Sequence, residues 1–193
     1  GIREAIISSF MPLEAVLETM KDSEVSIFPA VPTMIDLMVA AVLRHRTAPS
    51  ALRLILSGGD RLTAKTRDRA RRVLQTEVIQ GYGLTETSSV IALPASSGEA
   101  PADCIGPLIS CVEGEIRGDD GTPLGVGETG CLWVRGASVA SGYFRNPEPT
   151  AAAFSDGWFN TSDIAHFDEE GRLCLAGRSV DVIFVGGFKV YAE

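Results

Sequence analysis

The sequence predicts an α/β protein. A parallel sheet with covering helices fills its N-terminal half, and an antiparallel β-sheet or small distorted β-barrel follows. Three observations carry this reading. Up to about residue 93, amphipathic helical stretches alternate with short apolar runs, the pattern of strands joined by crossover helices. After Pro94 the texture changes to a small-residue crossing, Ala95-Ser96-Ser97-Gly98-Glu99-Ala100-Pro101. Beyond it, short strands are separated by the turns Asp119-Asp120-Gly121, Gly125-Val126-Gly127, Asn146-Pro147, Asp156-Gly157 and Glu169-Glu170-Gly171.

The elements follow in order. Leu13 to Met20 is amphipathic and reads as helix, and Val25-Ser26-Ile27-Phe28 as a short strand. Pro32 suits a helix's first turn, and Thr33 to Arg44 continues with Ile35, Leu37, Met38, Val39, Val42 and Leu43. Leu52 to Leu56 is a strand. Thr63 can cap the next helix, whose positions Leu62, Thr66, Ala70, Val73 and Leu74 share one face. Glu77 to Gln80 is another strand. In the second half, Gly114-Glu115-Ile116-Arg117 and Cys131-Leu132-Trp133-Val134-Arg135 are the clearest strands. There is no internal repeat and no low-complexity tract.

Composition limits the function classes. A chain of 193 residues can hold one sizeable core or two small ones. A net charge of −8 argues against a general nucleic-acid binder. The basic cluster Arg67, Arg69, Arg71, Arg72 reads as the solvated face of a helix. The four cysteines, Cys104, Cys111, Cys131 and Cys174, lack CxxC spacing, so they are expected to be reduced thiols of a cytoplasmic protein, not a zinc site or a disulfide framework. No apolar run reaches membrane-spanning length and no signal peptide opens the sequence. Asn160-Thr161-Ser162 matches a glycosylation pattern, which carries no weight without such a signal.

The stretch richest in chemistry is Ile79-Gln80-Gly81-Tyr82-Gly83-Leu84-Thr85-Glu86-Thr87. It places an aromatic ring, a hydroxyl and a carboxylate within five residues of a glycine-bearing turn. Glycine lets backbone approach a ligand closely. A ring can stack on a flat heterocycle, and a hydroxyl can bond a phosphate oxygen. Mg²⁺ favours one or two carboxylates plus substrate phosphates. The loop can therefore serve a nucleotide and a metal.

Two other segments imitate nucleotide motifs. Gly59 to Thr66 nearly fits GxxxxGK[ST] between a strand and a helix, but Ala64 replaces the second glycine and the helix is expected to begin at Thr63. Gly125 to Gly130 fits GxGxxG but precedes a strand, so it reads as a β turn.

A set of motifs in fixed order resembles the adenylate-forming superfamily of acyl-CoA synthetases, luciferases and peptide-synthetase adenylation domains. The set begins with Ser57-Gly58-Gly59-Asp60-Arg61-Leu62 and Gly81-Tyr82-Gly83-Leu84-Thr85-Glu86-Thr87. Gly130 to Gly136, Ser141 to Pro147 and Asp156 to Asp163 continue it, and Gly177-Arg178-Ser179-Val180-Asp181 and Gly186-Gly187-Phe188-Lys189-Val190-Tyr191 complete it.

The resemblance implies roles. Gly58 and Gly59 line the adenine, Tyr82 stacks on it, and Thr85 contacts phosphate. Glu86 binds Mg²⁺. Asp163 accepts from the ribose hydroxyls and Arg178 reaches the same ribose. Gly81 to Leu84, including Gly83, face Val31, Pro32 and Thr33 around the carboxylic acid. Asp181 is a hinge, and Gly187 and Lys189 border a thiol channel. ATP, AMP, Mg²⁺ and CoA are the implied ligands. The reaction expected is acid activation to acyl-AMP, then acyl transfer to CoA. A carrier-protein acceptor, or a non-catalytic nucleotide-binding role for the isolated chain, remains an alternative.

The sequence departs from the pattern at Ser162 (usually Gly), Cys131 (usually Glu) and Ala192 (usually Pro). Relative to the family it also reads as a fragment. A phosphate loop upstream and a catalytic lysine downstream are missing, so the isolated chain is expected to be inactive. The expected divisions are 1–97, an α/β portion; 98–177, a β-barrel-like portion; and 178–193, the hinge and the truncated start of a C-terminal domain.

Overall fold

A computed structural model describes residues 3–7, 9–94, 101 and 104–178, and the backbone of 182–185 and 188–191. Its contacts divide the chain into two compact units, residues 1–80 and 81–193.

The first unit is a three-stranded parallel sheet with helices. Helix α1 (Leu13–Asp22) buries Val16, Leu17 and Met20, a spacing that keeps all three on one face. Strand β1 (Ile27–Ala30) leads to α2 (Pro32–His45), which opens on Pro32 and buries Ile35, Met38, Val39 and Val42 at helical period. Strand β2 (Leu54–Ser57) is followed by α3 (Ala64–Leu74) and β3 (Glu77–Gln80). The sheet order is β1-β2-β3, and both pairings are parallel. Ile35, Met38, Val39, Ile55, Ala70 and Val78 form its core.

The first strand lies two residues later than the sequence suggests, at Ile27–Ala30 with Pro29 inside it. Proline cannot donate to a ladder, so it is tolerated on an edge strand, and among the described residues β1 pairs with β2 alone. Helix α3 begins as expected. Thr63 is its N-cap and accepts from the Thr66 amide at 3.1 Å, which leaves no phosphate-wrapping loop in the segment Gly59 to Thr66. The arginines of α3 lie off its buried face of Thr66, Ala70 and Leu74, and Arg71 pairs with Glu77 at 2.6 Å.

The second unit is antiparallel. A hairpin of β4 (Tyr82–Leu84) and β5 (Ser89–Ala92) encloses a 3₁₀ turn at Thr85–Thr87. The larger sheet contains β6 (Cys104–Gly106), β7 (Val112–Arg117), β8 (Gly130–Gly136), β9 (Phe154–Ser155), β10 (Trp158–Phe167) and β11 (Leu173–Arg178). Its order is β6-β11-β10-β8-β7, with β9 also on β10. The sheet is open, so of the two expected forms the antiparallel sheet is the one present, not a closed barrel. Helix α4 (Pro147–Ala153) precedes β9. Strands β12 (Val182–Val185) and β13 (Phe188–Tyr191) form a separate hairpin.

Alternation on β8 buries Leu132 and Val134 and turns Cys131, Trp133 and Arg135 to the other face. There Arg117 lies 4.5 Å from the Trp133 ring centroid, and Arg135 lies 4.5 Å from that of Trp158. Gly125 to Gly130 is a turn held by the Glu128 carboxylate accepting from the Gly125 amide at 2.6 Å, and it enters a strand. Asn160-Thr161-Ser162 lies within β10, with Asn160 Oδ1 accepting from the Ser162 amide at 2.8 Å.

One expectation is overturned. Cys104 and Cys174 are joined as a disulfide, while Cys111 and Cys131 are free. Spacing hid the pair because the partners are 70 residues apart. The β6–β11 register sets them directly opposite each other.

Candidate functional site

The site is built on β4, the 3₁₀ turn, the middle of β10 and the C-terminal end of β11, all within the second unit. The β10–β11 register places Asp163 opposite Arg178. Arg178 Nε donates to Asp163 Oδ1 at 2.9 Å. From the hairpin, the Tyr82 hydroxyl donates to Asp163 Oδ2 at 2.6 Å. A carboxylate exposed over only 5% of its residue surface is thus held by a cation on one oxygen and a phenol on the other. Burying it without such partners would be costly.

The strand is shaped for this. Ser162, before Asp163, sits at φ 59, and the ladder register breaks between Asn160 and Ile164. Such an irregularity re-aims a side chain out of the regular alternation. The left-handed backbone explains why glycine suits the position. Here serine occupies it, with its amide held by Asn160 Oδ1. The Asp163 amide donates to Thr161 Oγ1 at 3.1 Å, and the Thr161 hydroxyl donates to Leu132 O at 2.9 Å. Burial first, and then the Asp163 carboxylate, push the Tyr82 phenol well above its ordinary pKa, so it stays a donor.

The glycines of Gly-Tyr-Gly have a packing reason. A Cβ on Gly83 would lie 1.9 Å from Ser89 O, so the β4–β5 pairing itself demands glycine. One on Gly81 would meet Val90 and Leu93 side chains at 3.1–3.3 Å. Tyr82 and Leu84 pack on the second unit's core, which includes Ile91, Leu132, Val134 and Phe159.

The 3₁₀ turn presents Thr85, which is exposed, and Glu86, which is half-buried. Thr87 organises this turn and is not among the sequence-based candidates. Its hydroxyl oxygen accepts from the Leu84 amide at 2.9 Å and lies 2.9 Å from both Leu84 O and Ser89 O. It is buried, and a polar side chain adjoining a glycine hairpin is the one sequence signal that could have marked it. Tyr143 is a second site residue that sequence reasoning missed, although it lies within one of the family motifs. Its hydroxyl donates to Glu86 Oε1 at 2.8 Å, and that bond holds the phenol pKa above its usual value.

In the first unit, Val31 is the N-cap of α2, with Pro32 next and Thr33 exposed. Gly58 and Gly59 follow β2. The Gly58 amide donates to Ala30 O at 3.2 Å, and Gly59 has φ +78. A Cβ on Gly59 would lie 3.4 Å from Val31 Cγ1, so two of the sequence-predicted residues abut. Asp181 and Gly187 lie outside the described residues. The backbone of Lys189 pairs with Phe184.

Cys104, Asp168 and Cys174 bring donor atoms within 4.8 Å of one another. They do not form a cation site here. The sulfurs are bonded, and Asp168 is taken up by Arg172 Nε at 2.7 Å and by the amides of Glu170 and Arg172 at 3.1 and 2.8 Å. Among the described residues, no helix is long and apolar enough to cross a membrane.

The structure thus brings three of the sequence-predicted residues, Tyr82, Asp163 and Arg178, into one cluster. The family model for "AMP-binding enzyme" matches residues 1–144. The chain belongs to this family, the adenylate-forming superfamily. It is 30% identical over 191 residues to a long-chain-fatty-acid–CoA ligase of Haemophilus influenzae, covering 99% of this chain and 34% of that protein. The amide bond synthetase McbA of Marinactinospora thermotolerans superposes with a TM-score of 0.81 at 31% identity, over 92% of this chain and 36% of that one. O-succinylbenzoate coenzyme A synthetase of Bacillus subtilis, solved with ATP and magnesium ion, superposes with a TM-score of 0.80 at 30% identity, over 94% of this chain and 37% of that one. This member of the family therefore spans about a third of the length of the relatives it matches.

Proposed function

We propose that this chain is the central part of an AMP-forming acid–thiol ligase. The ligase activates a carboxylic acid with ATP to acyl-AMP and passes the acyl group to CoA. The observation that carries the adenylate half is the Asp163 carboxylate with Tyr82 on one oxygen and Arg178 on the other. A ribose diol presents two O–H donors, and a carboxylate is the acceptor matched to them. Tyr82, whose ring belongs to the same cluster, offers a face to the adenine. Arg178 adds a fixed cation near the nucleotide.

Thr85 and Glu86 act at the phosphates. The donor set suits Mg²⁺: a single carboxylate beside an exposed hydroxyl offers hard oxygen ligands and leaves the other positions to phosphates and water. Mg²⁺ at Glu86 supplies charge neutralisation as the α-phosphate is attacked. Thr85 binds and orients a phosphate oxygen, and Glu86 holds its carboxylate from the middle of the 3₁₀ turn. The assignments of Gly58 and Gly59 to adenine, and of Val31, Pro32 and Thr33 to the acid, rest on the resemblance. So do those of Asp181 as hinge and of Gly187 and Lys189 at the thiol.

The test is acid-dependent exchange of labelled pyrophosphate into ATP by a full-length protein carrying this chain, followed by assay of acyl-CoA. Exchange that requires both an acid and Mg²⁺, with acyl-CoA as product, is expected. An absence of exchange across aliphatic and aromatic acids would contradict the proposal. The likeness to an amide bond synthetase favours one second reading, an amine acceptor. Exchange with amide but no thioester product would select it.

A further inference from the structure

The segment Ser141-Gly142-Tyr143-Phe144-Arg145-Asn146-Pro147 has no role in the chemistry above, yet it reaches the centre of the turn that carries Glu86. The Tyr143 hydroxyl donates to Glu86 Oε1 at 2.8 Å, across 57 positions of sequence. The same loop also holds the main chain of Glu86, whose carbonyl accepts from the Ala140 amide at 2.7 Å. Side chain and backbone of one carboxylate residue are therefore fixed by residues 140 and 143.

Tyr143 is itself anchored. Its amide donates to Thr150 Oγ1 at 2.9 Å, and the Thr150 hydroxyl donates in turn to Asn146 O at 2.7 Å. Gly142, with φ +150, lets the chain pass Thr150, since an added Cβ would lie 2.5 Å from the Thr150 methyl. The Tyr143 ring meets Phe154 edge-on at 5.6 Å, and Phe154 packs 4.8 Å from the buried Phe159. An aromatic chain rooted in the core thus sets where the phenol oxygen lies.

We propose that Tyr143 is a positioning residue that presents Glu86 to a divalent cation. Its hydroxyl occupies Oε1 and leaves Oε2 for the metal. This rests on the reading of Glu86 as the metal ligand. Two physical points support it. A phenol is a neutral donor, so it orients the carboxylate without cancelling the charge the cation needs, as lysine or arginine would. A glutamate side chain has many rotamers, and one already fixed loses less freedom on binding. Ligating carboxylates are commonly held by outer hydrogen bonds, and removing such a partner typically weakens metal affinity by roughly 10–100-fold.

The test uses the ¹⁵N-labelled chain titrated with MnCl₂, a paramagnetic stand-in for Mg²⁺ at oxygen ligands. Broadening of the Thr85, Glu86 and Thr87 amides reports occupancy and needs no catalysis. In the wild type these amides should broaden first. Tyr143→Phe keeps the ring on Phe154 and should need about tenfold more Mn²⁺ for the same broadening. Its spectrum should change only near residues 84–88 and 137–146, which shows that the fold is intact. Glu86→Gln should lose the response. If Glu86→Gln loses it but Tyr143→Phe titrates like the wild type, Tyr143 merely tethers its loop and the proposal is overturned. A wild-type titration with no preference for these amides, or a Glu86→Gln titration that keeps the wild-type preference, would overturn the metal assignment of Glu86 itself.

Discussion

The Tyr82 hydroxyl and the Asp163 carboxylate meet at 2.6 Å although 81 positions separate them in sequence. The bond joins the glycine hairpin to the long strand β10, and it ties the residue assigned to adenine to the residue assigned to ribose. Because both are largely buried, the contact serves the fold as well as the ligand.

Tyr82→Phe separates these roles. The ring stays, but Asp163 keeps only Arg178. Loss of a hydrogen bond to a charged, buried acceptor should cost about 2 kcal/mol of stability. Urea denaturation would measure this as a lower midpoint at unchanged slope. If only stacking on the ring matters, AMP affinity should fall only a few-fold.

Gly83 and Gly58 make a contrasting pair. A methyl on Gly83 would collide with the Ser89 backbone, whereas Gly58 has nothing within 4 Å. Gly83→Ala should therefore cost about 3 kcal/mol or more by forcing the hairpin apart. Gly58→Ala should change stability by less than about 0.5 kcal/mol, as substitutions away from packed sites do. If Gly58 lines a nucleotide, the same change should still weaken ATP binding in a full-length protein. Thermal denaturation beside nucleotide titration checks both halves.

The thiols supply a pH test. Cys111 is exposed, while burial pushes the Cys131 thiol above its ordinary pKa. The Cys131 hydrogen also has an acceptor in Asn160 Oδ1 at 3.0 Å. A raised pKa means less thiolate at a given pH, and thiolate is the reactive form. Iodoacetamide at neutral pH should label Cys111 first. Labelling of Cys131 should rise only as pH climbs past the usual thiol range. Cys104 and Cys174 should label only after reduction. Peptide mass spectrometry resolves all four, and fast neutral labelling of Cys131 would contradict the burial account.

Much of this was legible in the sequence because it was local. Helical period gave α1, α2 and α3. The Thr63 cap placed the start of α3 and removed a false phosphate loop, and motif order gave the family. Contacts between distant residues were not legible. Nothing near Cys104 announces Cys174, nor does anything near Glu86 announce Tyr143, since sheet register alone or loop packing alone brings each pair together. The glycines of Gly-Tyr-Gly are legible, but sequence gives an incomplete reason for them. Ligand approach is the sequence argument, whereas the structure adds that Gly83 must admit the Ser89 backbone. The sequence reading stops the first strand at Phe28, whereas the strand takes in Pro29 and Ala30; proline is tolerated there because β1 lies at an edge, which only the sheet reveals.

The claim at the centre of this account is that the Tyr82–Asp163–Arg178 cluster receives an adenosine monophosphate by its ribose diol. Titrating the ¹⁵N-labelled chain with AMP and with 2′,3′-dideoxy-AMP tests it without altering a buried residue. AMP should shift the amides of Gly81 to Leu84, Asp163 and Arg178, and the dideoxy analogue should bind roughly 10–100-fold more weakly, as loss of hydrogen bonds to a charged acceptor implies. Equal binding of the two nucleotides, or shifts that avoid these residues, would contradict it.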